Sequence, residues 1–277
     1  GNYSPNLSLN LGDKFDTSNV TDMSQMFRSM GYGATNLSLN LGDKFDAGNV
    51  TNIQHIFSSM GDVADDLNIY LGNNFNASSV TSFSNMFMNM GFNATNFSLD
   101  FGNNFNASSA TSMSNMFRMT ARNAKNISIN LGNNFDAGNV TTMDSMFLYV
   151  GTGAARKVNL NLGNNFNTSS VTNMNYMFHG LCSATTCADF NINLGEKFDT
   201  SNVIYMRDTF KNMGYKTQTS FTLDLAAGDF LKVTNSSGVF TGFNTSKAII
   251  YVKDADAQSW VISKNSGFSA TNVLIKQ

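Results

Sequence analysis

The amino-acid sequence predicts an α/β solenoid in which each repeat of about 30 residues contributes one strand of a parallel sheet and one short helix, with a cap at the C-terminal end. Three observations carry this prediction. A frame of the form LGxxF starts at Leu11, Leu41, Leu71, Phe101, Leu131, Leu162 and Leu194, at spacings of 30, 30, 30, 30, 31 and 32 residues. Apolar and polar residues alternate just before each frame, and just after it the apolar spacing changes to three and four.

The alternating run comes first in each unit. Leu7, Leu9 and Leu11 return as Leu37, Leu39 and Leu41, as Phe97, Leu99 and Phe101, and so through Phe190, Ile192 and Leu194. Period-two alternation over so short a run is a half-buried strand. One such strand per unit, always in the same direction, makes a parallel sheet along the array.

A glycine-led turn follows, GDKFD or GNNFN, in which Gly12, Gly42, Gly72, Gly102, Gly132, Gly163 and Gly195 are suited to a left-handed backbone. Phe15 and its equivalents to Phe198 then form one expected column of buried rings, and Phe27 and its equivalents to Phe210 a second.

The next segment, SNVTDMSQMFRSMG in the first unit, places Met23, Met26, Phe27 and Met30 at i, i+3, i+4 and i+7, one face of a two-turn helix. Thr21, Thr51, Thr81, Thr111, Thr141 and Thr172 stand where an N-cap is expected, and Gly31, Gly61, Gly91, Gly151 and Gly214 where a C-cap is expected. Ile204 replaces the threonine in the seventh unit and Ala121 the glycine in the fourth, so those two helices are expected to start or end differently. Val20 and its equivalents can form a brief second strand before the helix.

The array divides into residues 1–6, the tail of a preceding repeat with more chain expected before it, 7–220, seven repeats, and 221–277, a degenerate repeat and cap. In the last part Phe221, Leu223 and Leu225 still alternate, and a strand over 248–252, a helix through Trp260 and a strand over 273–276 close the end.

Charged residues make up 13% of the chain and the formal net charge is −2, a balance unlike that of a phosphate binder with clustered Lys and Arg. No apolar run reaches the ~18 residues of a membrane span, and GNYSPN is not a signal peptide, so any export signal or wall anchor is expected outside these residues. Asn, Ser and Thr in place of surface charges fit a secreted or wall-associated bacterial protein. Cys182 and Cys187 either close a small disulfide loop or stand as two free thiols, and His179 has no companion ligands nearby in sequence that would make a metal site with them.

With NVTDMSQMF on the page, the repeat resembles the BspA-like leucine-rich repeats of bacterial surface proteins, in the variant FDTSNVTNMSxMFxxC of mycoplasmas and low-GC Gram-positive bacteria. The resemblance spans about 7–210, is closest in FDTSNVTDMSQMF at 15–27, returns in FDTSNV at 198–203, and extends to the closing segment IYVKDADAQSW. The family's repeat is shorter, about 25 residues, and carries Cys where this chain mostly has Gly, only Cys182 matching. The resemblance implies a leucine-rich-repeat-like parallel solenoid on the cell surface that is adhesive and not catalytic.

If the apolar strand positions point inward, two polar ladders point out: Ser8, Ser38, Asn68, Ser98, Ser128, Asn159 and Asn191, and Asn10, Asn40, Tyr70, Asp100, Asn130, Asn161 and Asn193. This sheet face is the candidate binding surface, for a host or bacterial surface protein or glycan, with Tyr70 and Asp100 its odd members; a merely solvated face is the simpler alternative. The turn column from Asp13 and Asp43 to Glu196 offers oxygen ligands, but four of its seven members are neutral amides and the calcium-binding nonapeptide is absent, so no metal is expected. No nucleophile has a visible base and no phosphate loop occurs, so neither catalysis nor a cofactor is expected. The expectation is an adhesin, with a structural stalk as the alternative and ice binding behind both.

Overall fold

The computed structural model describes residues 5–73 and 75–277, apart from the side chain of Asp13; residues 1–4 of the expected preceding repeat tail lie outside the described residues. The chain winds into a parallel β-solenoid of about eight coils. Seven coils each open with a five-residue strand: β1 (Asn6–Asn10), β2 (Asn36–Asn40), β3 (Asp66–Tyr70), β4 (Asn96–Asp100), β5 (Asn126–Asn130), β6 (Lys157–Asn161) and β7 (Asp189–Asn193). They form one sheet in chain order, every pair parallel and in register, so Leu7, Leu37, Leu67, Phe97, Ile127, Val158 and Phe190 make a single inward row. The two longer spacings leave this register intact because their extra residues sit in the returns before β6 and β7. Cys182 and Cys187 are disulfide-bonded inside the second of these returns, with Cα atoms 5.9 Å apart.

After each strand a glycine takes the left-handed region, from φ +65° at Gly12 to +91° at Gly72. The second phenylalanine column forms as expected and the first as far as Phe166, Phe198 tilting instead against Phe178 at 6.1 Å and Phe15 being partly exposed. Centroids from Phe27 through Phe57, Phe87, Phe117, Phe147, Phe178 and Phe210 to Phe240 are 4.9 to 5.7 Å apart, with rings within 10° of parallel. Those from Phe15 through Phe45, Phe75, Phe105 and Phe135 to Phe166 are 5.0 to 6.3 Å apart.

The short helix expected in every repeat does not form. Among the described residues α-helix is confined to Ala255–Ile262 (α1), so the α/β description gives way to a β-solenoid. The residues assigned to the helical face are buried in the interior coils, where Ile53, Ile56, Phe57 and Met60 are fully covered; in the first coil Met23 and Phe27 are buried but Met26 is exposed. What differs is the backbone. Met26, Arg28 and Met30 donate to the carbonyls three residues back, at 3.0 to 3.2 Å, while Met23, Gln25, Phe27 and Ser29 donate to Asn52, Gln54, Ile56 and Ser58 of the next coil, at 2.9 to 3.1 Å. Gln25 and Ser29 have positive φ, and the same four-residue spacing recurs at His55 and Ser59, at Asn85 and Asn89, and at Asn115 and Met119. A two-turn helix bears the full cost of nucleation and turns all its amides inward. A chain of β-turns places the same side chains inside and lets every second amide bind the neighbouring coil, so stacking selects the turns.

The caps assigned to that helix change meaning accordingly. Thr51, Thr111, Thr141 and Thr172 donate their hydroxyls to the backbone carbonyl of the threonine one coil earlier, at 3.2 to 3.3 Å. The glycines from Gly31 to Gly214 do take positive φ, but Ala121 and Cys182 adopt it too, at +49° and +52°. Ile204 donates its amide to Thr172 at 2.9 Å, the bond Thr51 makes to Thr21, so neither of the two exceptional units departs from the others. The second strand reduces to single parallel bridges, such as Ser82 with Ser112.

The eighth coil begins with β8 (Phe221–Asp224) and keeps the coil's shape without its methionines: Asn235 bridges Tyr205 and Phe240 stacks on Phe210. β9 (Ala248–Val252) and β10 (Val273–Ile275) extend β8 as a second parallel sheet, in the order β10-β9-β8. Between them α1 starts at Asp254, whose carboxylate accepts the amide of Ala257 at 2.9 Å, and Trp260 on α1 stacks on Phe230 at 4.1 Å. The segments expected from 248–252, through Trp260 and from 273–276 are therefore present.

Candidate binding surfaces

Strand alternation sends three polar residues outward from each β-strand. The sequence reading named two of the resulting columns and missed the one at the strand start: Asn6, Asn36, Asp66, Asn96, Asn126, Lys157 and Asp189. That column is bonded to itself. Asn36 donates to Asn6, Asn96 to Asp66 and Asn126 to Asn96, each at 2.7 Å, and Lys157 pairs with Asp189 at 3.3 Å.

The column at the strand end is also occupied by scaffold bonds. Asn10, Asn40, Asp100, Asn130, Asn161 and Asn193 each accept the amide of the glycine two residues on, at 2.9 to 3.3 Å. Asn130, Asn161 and Asn193 donate down the ladder as well. Asp100 thus closes its own turn. Tyr70 points its hydroxyl at the Asp43 carboxylate, 3.4 Å away. Burial, then that carboxylate, push the phenol up, while the amide of Asn73 at 2.8 Å holds the exposed Asp43 carboxyl below its ordinary value.

The middle column is different. Asn191 donates to Asn159 at 2.9 Å, but the side chains of Ser8, Ser38, Asn68, Ser98 and Ser128 have no hydrogen-bond partner among the described residues. Small side chains here, beside the taller first column, leave three depressions in line along the sheet: about 310 Å³ over β1 to β3, about 180 Å³ over β3 to β6, and about 430 Å³ from β6 to the start of β8. Together they trace a shallow groove lined by the first and middle columns, with apolar surface of the strands exposed between the hydroxyls and amides.

A second surface lies on the turn-bearing side, where stacking gathers residues about 30 apart in sequence. The Arg122 guanidinium lies 5.5 Å from the Phe92 ring and 5.9 Å from the Tyr149 ring. Tyr149 meets His179 edge-on at 5.1 Å, His179 lies 6.0 Å from Tyr176, and Arg207 sits 5.7 Å from the Tyr176 ring. Arg207 and Lys211 share the carboxylate of Asp208, at 3.8 and 3.3 Å. The cation cluster that the linear sequence lacks is present in space. Writing the repeats in register would have placed Arg118, His179 and Lys211 in one column.

Burial and, after it, the Lys211 ammonium push the His179 imidazole below its ordinary value, with Asp208 opposing. Because the folded-state value is the lower one, the unfolded chain takes up this proton first as pH falls. Stability is therefore lost below about pH 6.5, the ordinary imidazole value, until the folded-state value is passed. The expected result is a melting temperature that falls more steeply between about pH 7 and pH 5 in the parent chain than in His179→Gln; parallel profiles would remove His179 as the cause.

A sequence-family model described as "Mycoplasma protein of unknown function, DUF285" matches residues 3–131, 89–219 and 122–252. Each match spans about four coils, and the last runs through the eighth coil to the end of β9. No curated protein and no solved structure matches the chain.

Proposed function

The chain belongs to the mycoplasma family of unknown function DUF285, and we propose that it is a non-catalytic cell-surface protein that binds a host or neighbouring-cell macromolecule through the groove of its parallel sheet. The observation that carries this reading is the row of Ser8, Ser38, Asn68, Ser98 and Ser128, without side-chain partners among the described residues, flanked by two columns already bonded to the scaffold. An extended chain laid across the strands meets the middle column at every coil. The resemblance of the repeat motif to BspA-like repeats supports adhesion, and the Cys182–Cys187 disulfide suits an oxidising, extracellular setting.

The test is a glycan and extracellular-matrix array probed with the folded chain. A hit weakened at least about tenfold by Ser98→Arg or Ser128→Arg, which fill the groove at β4 and β5, supports the reading. A hit that neither substitution alters sinks it, and silence across the panel favours a stalk that spaces another domain from the wall.

A further inference from the structure

We propose that the turn-bearing side from coil 3 to coil 7 is a second binding site, built for an acidic polysaccharide carrying sulfate or carboxylate groups. It shares no residue with the sheet groove. Along it, two guanidinium groups bracket a run of rings: Phe92, Arg122, Tyr149, His179, Tyr176 and Arg207 form an unbroken run of contacts between 5.1 and 6.0 Å. The run crosses four coil-to-coil steps, about 19 Å at ~4.8 Å each.

Two features mark the strip as more than packing. His179 is only 8% exposed, yet its Nδ1 is buried without a hydrogen-bond partner among the described residues; Arg118, two coils earlier in the same column, buries an Nε in the same condition, as does His55 its Nδ1 in the second coil, outside the strip. Unpartnered buried polar atoms are costly and need an account. The charge is also unbalanced. Among the described residues the ion pairs of Arg118, Arg122, Arg207 and Lys211 are confined to Asp208, which is divided between Arg207 and Lys211. Arg122 forms no ion pair among the described residues; its Nε donates to the Thr152 hydroxyl at 3.2 Å, which fixes the guanidinium plane against the rings.

A polymer with one anionic group every sugar or two suits cations set several coils apart, and sugar rings suit the tyrosine faces between them. A nucleic acid, longer and more densely charged than the strip, would also meet the rest of a chain whose net charge, strip included, is −2. A membrane would need apolar residues protruding beside the cations, and the rings here are instead half-buried between coils.

The probe is heparin, compared with dextran, single-stranded DNA and phosphatidylserine vesicles, by titration calorimetry at low and physiological salt. The expected result is heparin binding that weakens with salt, absent for dextran, and reduced about tenfold by R122Q/R207Q together. Arg207 is a surface side chain, 56% exposed, so R207Q alone keeps the fold and is expected to show part of that loss. S98R is expected to leave heparin binding unchanged, which separates this site from the groove. No heparin binding at low salt, equal binding by R122Q/R207Q, or tighter binding of DNA or vesicles than of heparin overturns the proposal.

Discussion

Gly132→Ala is expected to destabilise the solenoid by about 3–5 kcal/mol, far more than the same substitution at Gly12. Both glycines occupy the same turn with positive φ, +76° and +65°. Their surroundings differ. A Cβ at Gly132 would lie 1.9 Å from the carbonyl oxygen of Gly102, a backbone atom held by its own coil, whereas a Cβ at Gly12 would meet nothing within 4 Å. Gly12→Ala therefore bears only the left-handed backbone strain, about 1–2 kcal/mol. Gly132→Ala must in addition push two coils apart where they are bonded on either side of the turn. Urea unfolding of the two variants decides the matter, and equal costs would show that backbone strain alone governs this column.

Phe87→Ala is expected to cost about 3–5 kcal/mol and to lower the thermal midpoint clearly. The ring is fully buried and lies 5.1 Å from Phe57, 5.2 Å from Phe117 and 5.5 Å from Phe101. Its removal leaves a cavity between coils that cannot close without breaking the stacked column. Phe15→Ala is the control, since Phe15 is 38% exposed in the first coil and among the described residues stacks on Phe45 alone, and its cost should be nearer ~2 kcal/mol by the area it buries, at about 25 cal/mol per Å². Similar melting curves for the two variants would contradict a core organised in columns.

These positions were legible in the sequence because burial in a stacked array follows the repeat. The strands, their parallel register, the glycine turns and both ring columns could be read from Leu7, Gly12, Phe15, Phe27 and their copies. The conformation between Met23 and Gly31 could not. Spacings of three and four say which side chains lie inside; they do not say where the amides go, and here the deciding carbonyls belong to residues about 30 further on, such as Ile56 for Phe27. A signal was present in the residues that accept positive φ, His55, Asn85, Asn89, Asn115 and Asn212, which recur where a helix gains nothing from them.

The polar face shows the same limit. Asn10, Tyr70 and Asp100 were legible as outward-facing, but Asp100 closes its turn through the Gly102 amide and Tyr70 leans to Asp43, so the odd members of the column serve the scaffold. The groove opens instead along the plainest column, Ser98 and Ser128 among its members. The aromatic and cationic strip was hidden for a simpler reason: Phe92, Arg122, Tyr149 and Arg207 are neighbours only after the chain has wound.

The bonds between coils also decide how the molecule behaves under load. The amides of Met23, Gln25, Phe27 and Ser29 reach the next coil along the solenoid axis, as do the strand bonds, so a pull applied between the two ends acts on these contacts in line and peels coils rather than shearing them. Each released coil of 30 residues would pay out about 100 Å of extended chain at ~3.4 Å per residue. The return before β7 yields less, because Cys182–Cys187 keeps its enclosed residues tied. Pulled from its two ends, the chain is expected to lengthen one coil at a time, by about 100 Å for each coil released.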